Sequence, residues 1–183
     1  MNHRLFVALK ISSDAQEQIV KMLSSFKESN KSIRWESTDK LHLTLKFIGE
    51  VNTNIKSDLE LALNFINEYR KFSFSFTKFD CFPKREKPRI LWIGMKITPD
   101  INELVNKINS ELEKFNIPKE VKIFKPHITL LRLKEWIQYP FLEEIFNISI
   151  KSEEFMADEV ALIESKLLTQ GSVYKEIKNY KLK

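Results

Sequence analysis

The sequence predicts an α+β fold of two similar lobes with mostly antiparallel sheets, on three observations. The order strand, helix, strands is passed through twice along 183 residues. Each pass contains one strand built on the same phrase, Leu41-His42-Leu43-Thr44-Leu45 in the first and Pro126-His127-Ile128-Thr129-Leu130 in the second. The turns between strands within each pass are short, which favours antiparallel neighbours. No linker or low-complexity stretch divides the chain, so residues 1–183 read as one bilobal domain. If the lobes face each other, the polar faces of the two histidine strands meet across a central cleft.

The elements follow in order. Arg4 to Ile11 is β-branched and aromatic enough for a strand, and Ser12-Ser13-Asp14 offers caps to a helix running to about Lys27, with Ile19, Val20, Leu23 and Phe26 inward. Ser29-Asn30-Lys31-Ser32 breaks it. Ile33-Arg34-Trp35 reads as a short strand, Thr38-Asp39-Lys40 as a turn, and Leu41 to Ile48 as the first histidine strand, closed by Gly49. Asn52-Thr53-Asn54 starts a second helix carrying Ile55, Leu59, Ala62, Leu63, Ile66 and Tyr69 at helical spacing. Phe72 to Phe79 alternates phenylalanine with polar residues, a half-buried strand, with a base-stacking platform as its functional rival. Pro83 to Arg89 is a charged, proline-bounded hairpin loop, and Ile90 to Ile97 a strand. Thr98-Pro99-Asp100 caps a third helix with Ile101, Leu104, Val105, Ile108, Leu112 and Phe115 inward, ended by Ile117-Pro118. Val121 to Phe124 leads into the second histidine strand, His127 to Leu133. A loop and a short helix around 141–146 follow within Glu135 to Asn147. Strands at Glu159 to Glu164 and Val173 to Tyr180 flank the turn at Gly171.

Composition narrows the class. Hydrophobic residues make up 43% of the chain, enough for an ordinary core. The single Cys81 cannot pair within the chain, and with no cysteine cluster for zinc the expected setting is a reducing cytoplasm. The opening Met1-Asn2-His3-Arg4 leads into an apolar run too short for a signal peptide or a membrane span. A net charge of +5 is compatible with a polyanionic ligand without requiring one.

Strand parity says what the repeated phrase can do. Leu41, Leu43, Leu45 and Phe47 face one way and His42, Thr44 and Lys46 the other, and the same parity pairs His127 with Thr129. Each half thus offers an imidazole and a hydroxyl on one face. Two histidines with no cysteine or carboxylate in either phrase make a poor metal set. Paired imidazoles suit a reaction in which one oxygen loses a proton while another gains one, and displacement at phosphorus, with attacking and leaving oxygens roughly in line, has that need. The threonine hydroxyls can then serve the equatorial oxygens.

With these phrases the sequence resembles the 2H phosphoesterase superfamily, in particular its RNA 2′,3′-cyclic phosphodiesterase branch, also called 2′-5′ RNA ligase. The likeness extends to Arg4 through Leu9, Arg34-Trp35, Lys46 through Val51, Pro88 through Trp92, Leu131-Arg132, and Ser165, Leu167, Gly171 and Tyr174. The chain departs from the pattern at residues 168 to 172 (LTQGS), which lack prolines around the glycine. The resemblance implies a bilobal fold that opens a 2′,3′-cyclic phosphate to a 2′-phosphomonoester without a cofactor or metal, with 2′-5′ ligation as an accompanying activity. It implies His42 as proton donor, His127 as proton acceptor, Thr44 and Thr129 on the phosphate oxygens, and Arg132 on the substrate. Parity puts Arg132 opposite His127, so that role requires a bulge. The expected partners are RNA or nucleotide ends bearing a 2′,3′-cyclic phosphate, with no membrane and the chain acting as a monomer. Two alternatives stay open: a non-catalytic RNA-binding module, and a 2H phosphoesterase acting on a different cyclic nucleotide.

Overall fold

The computed structural model describes residues 2–29, 31, 33–84, 87–133, 139–169 and 171–183. Eight strands form one curled sheet: β1 (Asn2–Lys10), β2 (His42–Asn52), β3 (Phe72–Lys84), β4 (Lys87–Ile97), β5 (His127–Arg132), β6 (Phe155–Ala157), β7 (Glu159–Leu168) and β8 (Gly171–Lys181). Their order across the sheet is β6-β3-β4-β5-β2-β1-β7-β8, and every pairing is antiparallel. The α+β class and the antiparallel pairing are as expected from sequence. The sheets of the two halves are joined rather than separate, meeting where β2 pairs β5 at Leu43 and Ile128.

Helices α1 (Ser13–Ser29), α2 (Lys56–Ala62), α3 (Asp100–Glu113) and α4 (Tyr139–Phe146) complete the chain. The Ser12 hydroxyl accepts from Ala15 N–H (3.3 Å), the cap expected for α1. Ala15, Ile19 and Leu23 of α1 and Ile101, Leu104, Ile108 and Leu112 of α3 share a core with Leu5, Val7, Leu9, Leu43 and Ile128 of the sheet. Each such aliphatic side chain withdrawn from water contributes about 1.5–3 kcal/mol. One face of the sheet is thereby consumed by packing, and the functional side chains must come from the other. Among the described residues no helix is long and apolar enough to cross a membrane.

Several elements differ from the sequence reading, for identifiable reasons. The second helix is interrupted: 3-10 turns at Thr53–Ile55 and Asn64–Glu68 flank α2. The first histidine strand runs on through Gly49 to Asn52, because Gly49 adopts φ +84° inside the strand, a conformation open to glycine. The expected loop from Pro83 to Arg89 is mostly ladder, with Pro83 paired to Pro88 and Lys84 to Lys87; its tip, residues 85 and 86, lies outside the described residues. Trp35 makes a single bridge to Leu131 in place of a strand. Phe72, Phe74, Phe76 and Phe79 are all buried, so the phenylalanine strand is core and not a stacking platform. Asn30, Ser32, Gln170 and residues 134–138, which bear on the first helix break, the LTQGS departure and the segment after β5, also lie outside the described residues.

Candidate active site

The antiparallel register of the central pair decides what faces what. With Leu43 opposite Ile128, His42 lies across from Thr129 and Thr44 across from His127, related by a local twofold through the pair. Leu43 and Ile128 are fully buried against the helices, so the flanking imidazoles and hydroxyls turn to the other face. His42, Thr44, His127, Thr129 and Arg132 all line one cavity, together with Phe6, Glu36, Lys40, Phe47 and Tyr174.

Both strands then break parity at the same offset. In β2, Val7 pairs Lys46 and Ala8 pairs Thr44, leaving Leu45 as an extra residue; in β5, Leu91 pairs Leu131 and Trp92 pairs Thr129, leaving Leu130 as one. Each is a β-bulge, and after it the alternation inverts. The second bulge turns Arg132, five residues after His127, onto the cavity side, which meets the requirement noted from sequence. Its freed backbone is satisfied, since Glu36 N–H donates to the Leu130 carbonyl (2.8 Å). The first bulge corrects the parity expected for two residues. Phe47, placed on the core face by simple alternation, lines the cavity and is 58% exposed, whereas Lys46, placed on the polar face, is 2% exposed. The Lys46 ammonium donates to the Pro118 carbonyl (2.6 Å) and lies 3.8 Å from Glu120.

The two imidazoles are held alike. Nδ1 of His42 lies 2.6 Å from the Lys40 carbonyl and Nδ1 of His127 lies 2.7 Å from that of Lys125, in each case the residue two before the histidine. A carbonyl can only accept, so each Nδ1 carries the hydrogen, and in the neutral ring Nε2 is left as the basic nitrogen. The Thr44 hydroxyl donates to His42 Nε2 (3.1 Å). Aromatic rings wall each imidazole: Phe6 stacks on His42 at 5.0 Å with Tyr174 edge-on at 5.7 Å, and Phe82 and Trp92 lie 4.7 and 5.9 Å from His127. The Lys40 ammonium sits over Tyr174 and that of Lys125 over Trp92, at 5.9 and 4.2 Å. Arg132 lies beside Tyr174 on the cavity wall, and its Nε lies 3.8 Å from the Glu36 carboxylate.

This packing depresses both basicities. Burial, opposed by the Lys40 carbonyl and reinforced by His127 and Arg132, takes His42 down to about 4, and burial together with the Lys125 charge lowers His127. Both rings are therefore neutral at pH 7 in the free protein. Because the unfolded chain protonates His42 near 6.5 and the folded one only near 4, the unfolded state binds more protons between those values. Stability present above pH 6.5 is lost as pH falls toward 4, by up to about 3 kcal/mol from this group. Denaturant titrations from pH 7 to 4 should show that loss and a shallower one in His42→Gln; equal slopes in both proteins would contradict it.

Sequence reasoning missed Glu36 and Phe6, which reach the cavity only through long-range pairing. It also passed over Lys40 and Lys125, although the phrase Lys-x-His-x-Thr is visible twice in the chain. Among the described residues no three His, Cys, Asp or Glu side chains come together in a set that could hold a metal ion.

Comparison with known proteins agrees with the geometry. A family model described as LigT like phosphoesterase matches residues 9–92 and 95–174. Proteins named RNA 2′,3′-cyclic phosphodiesterase are similar over most of the chain: that of Thermotoga maritima is 29% identical over 94% of this chain and 91% of its own, that of Aquifex aeolicus 30% over 81% of each. Among solved structures, TT0787 of Thermus thermophilus superposes with a TM-score of 0.83 over 97% of each chain at 24% identity. E. coli LigT complexed with 3′-AMP gives 0.75 over 100% of this chain and 99% of that one, also at 24% identity.

Proposed function

As the chain belongs to the LigT like phosphoesterase family, we propose that it is an RNA 2′,3′-cyclic phosphodiesterase, opening the cyclic phosphate of an RNA or nucleotide end to a 2′-phosphomonoester without metal. The single observation that carries this reading is the shared cavity: two imidazoles, two hydroxyls and one guanidinium, drawn from both halves, converge on it. Relatives named for that activity support it.

In this reading His127, neutral in the free protein, takes the proton of the attacking water through Nε2. His42 gives a proton to the departing 3′ oxygen. Since His42 is unprotonated at neutral pH before substrate arrives, it must gain its proton as the anion binds; the phosphate charge offsets the Arg132 and His127 contributions that hold the ring low. Thr44 and Thr129 donate to the non-bridging oxygens and Arg132 to the substrate phosphate, where negative charge must be held as water is displaced. The same geometry, with a 5′ hydroxyl in place of water as the nucleophile and the 3′ oxygen again departing, would give 2′-5′ ligation.

The test is the protein with EDTA, offered adenosine 2′,3′-cyclic phosphate and a short RNA ending in a cyclic phosphate. A 2′-monoester is expected from both, and no turnover, or turnover abolished by the chelator, would refute the reading. Catalysis needs the proton on His42 and not on His127, and burial holds both imidazoles below the ordinary 6.5 in the free protein. The pH profile of kcat/KM should thus be a bell centred below 6.5, with kcat peaking at higher pH once the anion is bound. A flat profile from pH 5 to 9 would exclude the imidazole pair.

A further inference from the structure

We propose that Glu36 sets the charge selectivity of the cavity, making it a site for the singly charged cyclic phosphodiester and a poor one for the doubly charged phosphomonoester formed from it. The inference rests on the phosphodiesterase reading and adds to it how the product leaves a site that holds phosphate.

A carboxylate is out of place where an anion must sit. Among the described residues lining the cavity Glu36 is the one acid, against the cations Lys40 and Arg132, so with both imidazoles neutral the lining carries one net positive charge. The fold fixes the acid there. The bulge that turns Arg132 inward leaves the Leu130 carbonyl to accept from Glu36 N–H at 2.8 Å, and the neighbouring Trp35 bridges Leu131. One irregularity thus delivers a cation and an anion to the same wall. The carboxylate lies 3.8 Å from Arg132 Nε, too long for a hydrogen bond, so the two meet through charge and not by a clamp on the guanidinium. The Glu36 side chain is 24% exposed and that of Arg132 62%, so the field of the acid is the less screened of the two. That field crosses the cavity: after burial, Glu36 is the next cause holding the Tyr174 hydroxyl above its ordinary value.

The reaction changes the charge of the ligand. The cyclic diester carries one negative charge. Water adds to phosphorus and the bond to the 3′ oxygen breaks; His127 takes one proton of the water, His42 supplies one to the 3′ oxygen, and the second hydrogen of the water stays on phosphorus as P–OH. That group ionises near a pKa of about 6, so above neutrality the monoester is a dianion. During the reaction the added charge on the phosphoryl oxygens is matched by the proton newly placed on His127. Once that proton is lost, a dianion faces a lining with one net positive charge. Repulsion by Glu36 scales with ligand charge and is about twice as large for the product as for the substrate at the same distance. The same acid therefore tolerates the diester and expels the monoester.

The experiment measures, at pH 7.5, KM for adenosine 2′,3′-cyclic phosphate and the competitive Ki of adenosine 2′-monophosphate against it, in the wild type, Glu36→Gln and Glu36→Asp. Glutamine keeps the shape and removes the charge. Its Ki should fall by about five- to 50-fold and its KM by only about the square root of that factor, since the substrate has half the charge. Both changes should shrink in about 1 M salt, where the screening length is about 3 Å. Aspartate keeps the charge and should keep the wild-type ratio of KM to Ki. A ratio unchanged in the glutamine variant, KM and Ki rising together as for a lost brace on Arg132, or aspartate behaving like glutamine overturns the assignment of Glu36. A wild type inert toward the cyclic phosphate instead overturns the phosphodiesterase reading, and with it this one.

Discussion

His127→Ala should lower kcat on a 2′,3′-cyclic nucleotide by about 10²–10⁴-fold, the usual worth of a positioned general base, while the protein remains folded. The imidazole is walled by Phe82 and Trp92, which pack on each other at 5.0 Å and keep their own contacts when the ring is removed. His42→Ala should be comparably inactive. The double variant should lose little more than either single one, because one proton donor without its acceptor has no complete path to serve. Steady-state rates on purified variants, with circular dichroism and Tm as folding controls, check this. A folded variant of either histidine that retains a tenth of wild-type kcat would remove the acid–base pair from the mechanism.

Phe6→Ala should act on stability and on chemistry together. The ring is 3% exposed and touches His42, Phe47 and Tyr174, so truncation costs about 3–5 kcal/mol in the manner of large-to-small core changes. The same truncation admits water beside His42. Burial is the largest cause of that imidazole's low value, so its removal raises the value from about 4 toward 6.5. The acid limb of kcat/KM should move to higher pH by one unit or more, and the acid-induced loss of stability should shrink. Phe6→Leu, which keeps more of the packing, gives a milder fold penalty and a smaller displacement in the same direction. An acid limb that stays in place in either folded variant would show that something other than desolvation holds His42 down.

What could be read from the chain follows from how local each signal is. The His42/Thr44 and His127/Thr129 strands, and the helical stripes of α1 and α3, are set by period and capping within a dozen residues, and those elements formed where the pattern put them. The bulge at Leu45 lies beyond that reach, because apolar–polar alternation continues through it and the slip is decided by which residues of β1 the strand must pair with. At the second bulge the adjacent Leu130 and Leu131 do break the alternation in the sequence, and pairing with β4 fixes which of them is extra. Hence Arg132 and Phe47 could be recognised as candidate and core residue respectively, but only the paired structure puts them both in the cavity. Glu36 carried no signal, since its place depends on an N–H that meets the Leu130 carbonyl, far along the chain in β5. Likewise the joining of two sheets into one depends on a single register pair, Leu43 with Ile128, which neither strand announces by itself.

The sheet order has a consequence for when the protein becomes competent. β1 is sandwiched between β2 and β7, and β8 then brings Tyr174 back against His42 and Arg132. A nascent chain translated as far as β5 already holds both imidazoles, yet the Tyr174 ring that flanks one of them belongs to β8 and is translated after both. The contact of Phe6 with Tyr174, between strands at opposite ends of the chain, also makes the closing steps of folding slow relative to a protein of local pairings. The wall of the His42 side of the cavity is therefore complete only once Tyr174 has docked against Phe6 and His42.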